Sequence, residues 1–229
     1  MYPRHRLDIG VADLVYALVR AALPVGARLD PSEGLVALSV RSAWDLLLDA
    51  AAFPEGSECV MSAVTHPDMA RIARSHGLVV VPVDVDLDTL APLEVDAALT
   101  SRTRVLLVAH LFGGEFDLAP AGEIAHARGV MVVEDRAQAF AGDLRRDEDA
   151  DVSLFSFGTI KTATALGGAI ALVRDAALRE RMRERQRAWP AQARSRYTAK
   201  VLRIAALALA ASPLLFGPLL AIARGMGRD

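Results

Sequence analysis

The sequence predicts an α/β domain built on a largely parallel sheet, and three observations carry that expectation. Between about residues 40 and 175, helical segments alternate with short apolar runs, the pattern of strand and crossover helix. The runs are β-branched and nearly unbroken, as strands buried on both faces require. Glycines at 77 and 129 stand just past two helical segments, where a C-terminal cap needs positive φ, and a strand follows each at once.

Taken in order, helices are expected over 42–52, 67–76, 93–99 and 119–128. Strands are expected over 58–62, 79–83, 104–109, 130–133, 152–155 and 168–173. After Val173 the character changes to an Arg/Glu-rich helix over 175–188, then Pro190, then a second helical stretch from about residue 194. Residues 204–223 are uncharged and rich in Leu, Ile and Ala, broken by Ser212, Pro213, Gly217 and Pro218. That length would span a bilayer, but the prolines favour a bent helical hairpin that packs on the protein or dips into a membrane surface. Three segments result: a helical N-terminal part over 1–33, the sheet domain over 34–175 and a helical, hydrophobic part over 176–229.

Composition narrows the function. The 229 residues are 53% hydrophobic with a mean hydropathy of +0.29, enough to bury one substantial core and a smaller appendage. A net charge of −2 gives no electrostatic case for nucleic acid and leaves a small neutral or anionic metabolite as the default partner. The single cysteine, Cys59, can form neither an internal disulfide nor a metal cluster alone, which suits a reducing compartment and a role as apolar filler. Asp8, Asp13 and Arg20 interrupt the N-terminal apolar residues, so no secretory signal is read and the body of the protein is expected in the cytoplasm.

Of 26 basic residues only Lys161 and Lys200 are lysine. Arginine cannot serve as a nucleophile near neutral pH, so a retained lysine raises the question of whether an amine is needed. Lys161 follows D-V-S-L-F-S-F-G-T-I, a strand running into a small-residue turn with hydroxyls at Ser156 and Thr159. About twenty-five residues earlier, V-M-V-V-E-D-R-A-Q-A places Asp135 at the C-terminal end of a buried strand, where open α/β sheets hold their ligands. A lysine, a carboxylate and hydroxyls are the three groups that pyridoxal 5'-phosphate (PLP) chemistry requires. The lysine holds the aldehyde, the carboxylate keeps the ring nitrogen protonated, and hydroxyls or amides take the phosphate.

Residues from about 34 to 175 resemble the DegT/DnrJ/StrS family of sugar aminotransferases, which have the fold of type I PLP enzymes. The match is collinear: V-P-V-D-V-D-L-D-T-L, then R-V-L-L-V-A-H-L-F-G, then E-D-R-A-Q-A, then S-F-G-T-I-K. The resemblance implies a large domain with a seven-stranded, mostly parallel sheet and a homodimer. It also implies transfer of an amino group from an amino-acid donor to a keto group, on a nucleotide-linked sugar. Carried over by position, Asp135 pairs with the pyridine nitrogen, Gln138 lies near the ring hydroxyl, Ser156 binds phosphate and Lys161 holds the cofactor covalently. S-V-R-S-A-W resembles the family's phosphate turn, which assigns phosphate to Ser42 and to the amides of Ser42 and Ala43. His66 falls where the family has a ring that stacks on the cofactor, although His66-Pro67-Asp68 also reads as a helix entry. His110 matches the motif and reads equally as a satisfied buried histidine.

Three departures stand out. Arg41 occupies the usual glycine of the phosphate turn, Arg136 replaces a small residue after the key aspartate, and only 68 residues follow Lys161. The family continues well beyond that into a second domain. The alternative reading is therefore a truncated or degenerate, non-catalytic member that meets a membrane or partner through 201–224.

Overall fold

The computed structural model describes residues 9–23, 34–161, 163–212, 216–218 and 225. One compact unit spans Leu29–Trp189 and a second joins the two ends of the chain, Met1–Arg28 with Pro190–Asp229.

The larger unit is a seven-stranded sheet in the order β1-β7-β6-β5-β4-β2-β3. Its strands are β1 (Gly34–Ala37), β2 (Glu58–Ser62), β3 (Val79–Val83), β4 (Thr103–Ala109), β5 (Met131–Asp135), β6 (Val152–Ser156) and β7 (Ala169–Val173). β7 runs antiparallel to both its neighbours, β1 and β6; the pairings among β2 to β6 are parallel. The expected α/β class and seven-stranded, mostly parallel sheet are therefore present. Six strands lie where the apolar runs place them, within about two residues at the ends. β1 has no counterpart in the expectation, because Gly-Leu-Val-Ala is too short to show a period.

Period-two alternation sends successive side chains to opposite faces. Val105 and Leu107 of β4 join one core with Cys59, Met61, Val133, Val152 and Leu154; helices α2 (Val40–Ala51), α3 (Pro67–Ser75) and α6 (Ala176–Arg187) supply Trp44, Met69 and Met182 to it. Leu106 and Val108 face the other way, into a core with Val60, Val132, Ala121 and Ala125 from the side of α4 (Val95–Ala98) and α5 (Ala119–Ala127). Cys59 is wholly buried in β2 and burial pushes its thiol up to about 12, so it fills space, as expected. Trp44 ties α2 to α3 by donating its indole N–H to the Met69 carbonyl at 3.0 Å.

Helix boundaries follow their caps. Ser39 caps α2 by accepting the Ser42 amide at 3.1 Å, which starts the helix at Val40, two residues before its expected start. Gly77 and Gly129 take φ of 77° and 68°, the left-handed conformation read from their positions. The helix expected over 93–99 is the single turn α4.

In the smaller unit, α1 (Val11–Ala22) buries Leu14 and Ala17, and α7 (Arg194–Ala210) buries Val201 and Ile204. Among the described residues no helix is long and apolar enough to cross a membrane. Much of the uncharged stretch over 204–223, and all of 24–33, lies outside the described residues.

Candidate functional site

β5 ends on Glu134 and Asp135, and β6, hydrogen-bonded beside it, ends on Ser156. Parallel strands bring their C-terminal ends to one edge of the sheet, so residues twenty apart in sequence become neighbours. The chain leaving β6 doubles back before β7: the Lys161 amide donates to the Gly158 carbonyl at 3.1 Å, and the Ala165 and Gly167 amides both donate to the Phe157 carbonyl at 3.1 and 2.9 Å. The Gly168 amide then donates to the Leu38 carbonyl at 3.1 Å, which fastens this loop to the entry of α2.

A cavity of about 460 Å³ opens here, lined by His66, Ala137, Gln138, Phe140, Ser156, Ile160, Lys161 and Ala163. That volume suits a small organic ligand. Four residues expected from the sequence, His66, Gln138, Ser156 and Lys161, share this wall. No described residue pairs with the Lys161 amine. Gln138 is held by accepting the Phe112 amide at 3.3 Å. His66 is the N-cap of α3, its Nδ1 accepting the Asp68 amide at 3.2 Å, and it also lines the cavity.

Asp135 lies beside the cavity, 7% exposed. Its Oδ1 accepts the Ala137 amide at 2.9 Å, and no described residue donates to Oδ2. Burial pushes this carboxyl above the usual range, outweighing the Ala137 amide bond and the electrostatic influence of Lys161 and the nearby histidines. A carboxylate on a buried strand end, with one oxygen that takes no donor from the described residues, fits a cationic ring nitrogen. An unpaired amine fits an aldehyde, and the Ser156 hydroxyl fits a phosphate. The donor set of the described residues fits PLP.

The phosphate turn differs from its expectation in detail. The Ser42 amide is taken by Ser39 Oγ, its hydroxyl lies 2.9 Å from the same atom, and the Ala43 amide donates to the Ser39 carbonyl at 3.0 Å. Neither residue lines the cavity. Arg41 keeps an ordinary helical backbone, so the glycine it replaces is not needed for positive φ. Arg136 turns to Glu115 and Glu134, with its guanidinium 5.7 Å over the Phe155 ring, and does not line the cavity.

Glu134 anchors the strand end from behind. Wholly buried, it accepts from Ser153 Oγ, from the Asp147 amide at 3.0 Å, from His110 Nε2 at 3.2 Å and from Arg136 at 3.5 Å. Burial alone would raise its carboxyl; the bonds from His110, Ser153 and Asp147, with the Arg136 charge, outweigh it and hold the group below its usual value. His110 is correspondingly 2% exposed and stacked on Phe116 at 4.3 Å. Replacing Glu134 by alanine orphans these donors and should cost about 3–5 kcal/mol, read as a fall in the urea midpoint. A depressed carboxyl contributes stability above its unfolded value and loses it as pH falls through the folded one. The gap between wild type and variant should therefore narrow in acid.

Phe140, Ala137, Ile160 and Ala163 were not singled out from the sequence. Phe140 meets Phe155 and Phe157 edge-to-face at 6.0 and 5.3 Å, which fixes that wall. Among the described residues no cluster could hold a metal ion.

Comparison with known proteins agrees with this architecture. The L-glutamine:2-deoxy-scyllo-inosose aminotransferase of Streptomyces kanamyceticus is 32% identical over 142 residues, 60% of this chain and 33% of the relative. The dTDP-3-amino-3,4,6-trideoxy-alpha-D-glucose transaminase of Streptomyces venezuelae is 33% identical over 156 residues, 64% of this chain and 41% of the relative. The chain thus spans well under half the length of these curated relatives. Among solved structures, 3-amino-5-hydroxybenzoic acid synthase superposes with a TM-score of 0.69 at 25% identity, covering 89% of this chain and 62% of that one. A sugar aminotransferase of Streptococcus pneumoniae in its PLP form shares the fold, with a TM-score of 0.69 at 17% identity, covering 88% of this chain and 65% of that one. The family model for DegT/DnrJ/EryC1/StrS aminotransferases matches residues 32–207, and with the sheet order and the Asp135 to Lys161 edge already described, the chain belongs to that PLP-dependent family.

Proposed function

We propose that this chain carries the cofactor-binding part of a PLP-dependent aminotransferase, which moves an amino group from an amino-acid donor to a keto group of a nucleotide-linked sugar. The observation that carries the reading is one cavity wall formed by Lys161, Ser156, Gln138 and His66, with the unpaired oxygen of Asp135 beside it. The sugar and the donor come from the relatives' names, and a second copy of the chain is the expected partner in a dimer.

Bound PLP would supply an aldehyde and a ring able to accept electrons from a neighbouring carbon. Asp135 Oδ2 would hold the ring nitrogen in its protonated form, a charge-assisted bond about twice as strong as a neutral one. Lys161 Nζ would hold the aldehyde carbon and, when a donor amine displaces it, accept and return the proton that moves between carbons. His66 and Ala137 would fix the ring plane, Gln138 would meet its hydroxyl and Ser156 its phosphate.

The half-reaction tests this reading. The loaded protein, given L-glutamate or L-glutamine, should release one keto acid per site and leave the cofactor as its amine. Keto acid below one per hundred sites, from protein that retains PLP, would remove the transaminase reading.

A further inference from the structure

Arg41 lies in the first turn of α2, next to Ser42. Its Nη1 is 3.3 Å from His66 Nε2 and 3.2 Å from Asp68 Oδ2. Because His66 lines the cavity, this guanidinium sits at the cavity rim.

Its present position is weakly held. His66 Nδ1 already accepts the Asp68 amide, which puts the proton of a neutral ring on Nε2, facing the Arg41 N–H. The histidine contact is then donor against donor, and only Asp68 retains the cation. The pair is exposed, with side chains 50% and 32% accessible, and such pairs contribute little. Asp68 does not depend on it either, since its other oxygen accepts from Arg71 at 2.9 Å. Releasing Arg41 leaves no charge unpaired.

In the same turn the donors expected to meet a phosphate are already engaged. Ser39 occupies the Ser42 amide and the Ala43 amide. Helix geometry leaves the amides of Val40 and Arg41 without an intrahelical acceptor, directed out of the helix start. A dianion arriving there meets those amides and one weakly held guanidinium beside His66.

We propose that Arg41 is a phosphate-binding residue that swings from Asp68 to the phosphate of the ligand when the cavity fills. This rests on the PLP reading above. The guanidinium fork matches a phosphate bidentately, and two negative charges outcompete the single charge of Asp68. The arginine thereby supplies a donor in place of the engaged amides of Ser42 and Ala43.

The test is equilibrium dialysis of the full chain against PLP and against pyridoxal, which has the ring and aldehyde but no phosphate. Arg41→Ala should weaken PLP about 10- to 100-fold, the loss of a charged hydrogen-bonding partner, while pyridoxal stays within about twofold. Asp68→Asn should tighten PLP severalfold and leave pyridoxal unchanged. A loss shared equally by both ligands would mark Arg41 as merely structural and overturn the proposal, as would no loss for either. If wild type binds neither ligand, the cofactor reading itself fails and this inference falls with it; wild-type binding with an indifferent Arg41→Ala defeats this inference alone.

Discussion

Lys161→Ala is expected to slow the half-reaction at least about 10,000-fold, the upper end of what a positioned acid–base group contributes. The loss should come without unfolding. Lys161 makes no ion pair with a described residue and lies in a turn closed by backbone atoms, so its truncation should alter stability by only about 0.5 kcal/mol. Thermal melts of the two proteins should overlay without ligand and separate only when PLP is added. A variant that melts well below wild type in the absence of PLP would show the lysine to be structural.

Asp135→Asn should have the second largest effect and in opposite directions on activity and stability. The half-reaction should fall about 100- to 1,000-fold, the usual cost of removing a preorganised electrostatic partner. The unliganded protein, however, should become more stable near neutral pH. Burial raises the Asp135 carboxyl, so between its unfolded and folded values the folded chain holds a proton that the unfolded chain has lost. Wild-type stability therefore declines as pH rises through that window and stays reduced above it. The asparagine variant, which keeps the bond from the Ala137 amide, has no such decline. Its advantage in melting temperature should be absent in acid, appear across the window and amount to a few degrees above it. Saturating PLP should reverse the order, because the ring nitrogen then compensates the carboxylate of wild type. An apo variant no more stable than wild type at any pH would contradict the electrostatic reading of this strand end.

Glu134 and Asp135, adjacent on one strand, illustrate how the fold separates two chemically similar groups. Strand alternation turns Glu134 toward His110, Ser153 and Arg136, which satisfy it, and turns Asp135 to the opposite face, where one oxygen takes no donor from the described residues. The first stabilises the protein; the second costs stability that a bound cation would restore.

Much of this was legible in the sequence, for identifiable reasons. The strands of the parallel set are continuous β-branched runs, and Asp135, Ser156 and Lys161 follow such runs directly, so locating the strands located the residues. β1 escaped because four residues show no period. The engagement of the Ser42 and Ala43 amides escaped because it depends on Ser39 acting as cap rather than Ser42. The cavity walls at Phe140 and Ile160 escaped because a cavity-lining apolar residue looks like any core residue in sequence. The Arg41, His66 and Asp68 cluster joins residues 25 and 27 positions apart, on two helices that the fold packs side by side.

The central claim is that Lys161 is the residue that holds the cofactor. Purified protein is mixed with PLP, scanned through the near-ultraviolet and visible, reduced with borohydride, digested and mapped. The account predicts a new absorbance band that borohydride abolishes, with the label confined to the peptide containing Lys161. A folded protein that gives no band, or a label found at Lys200 or the N-terminus and absent from Lys161, would contradict it.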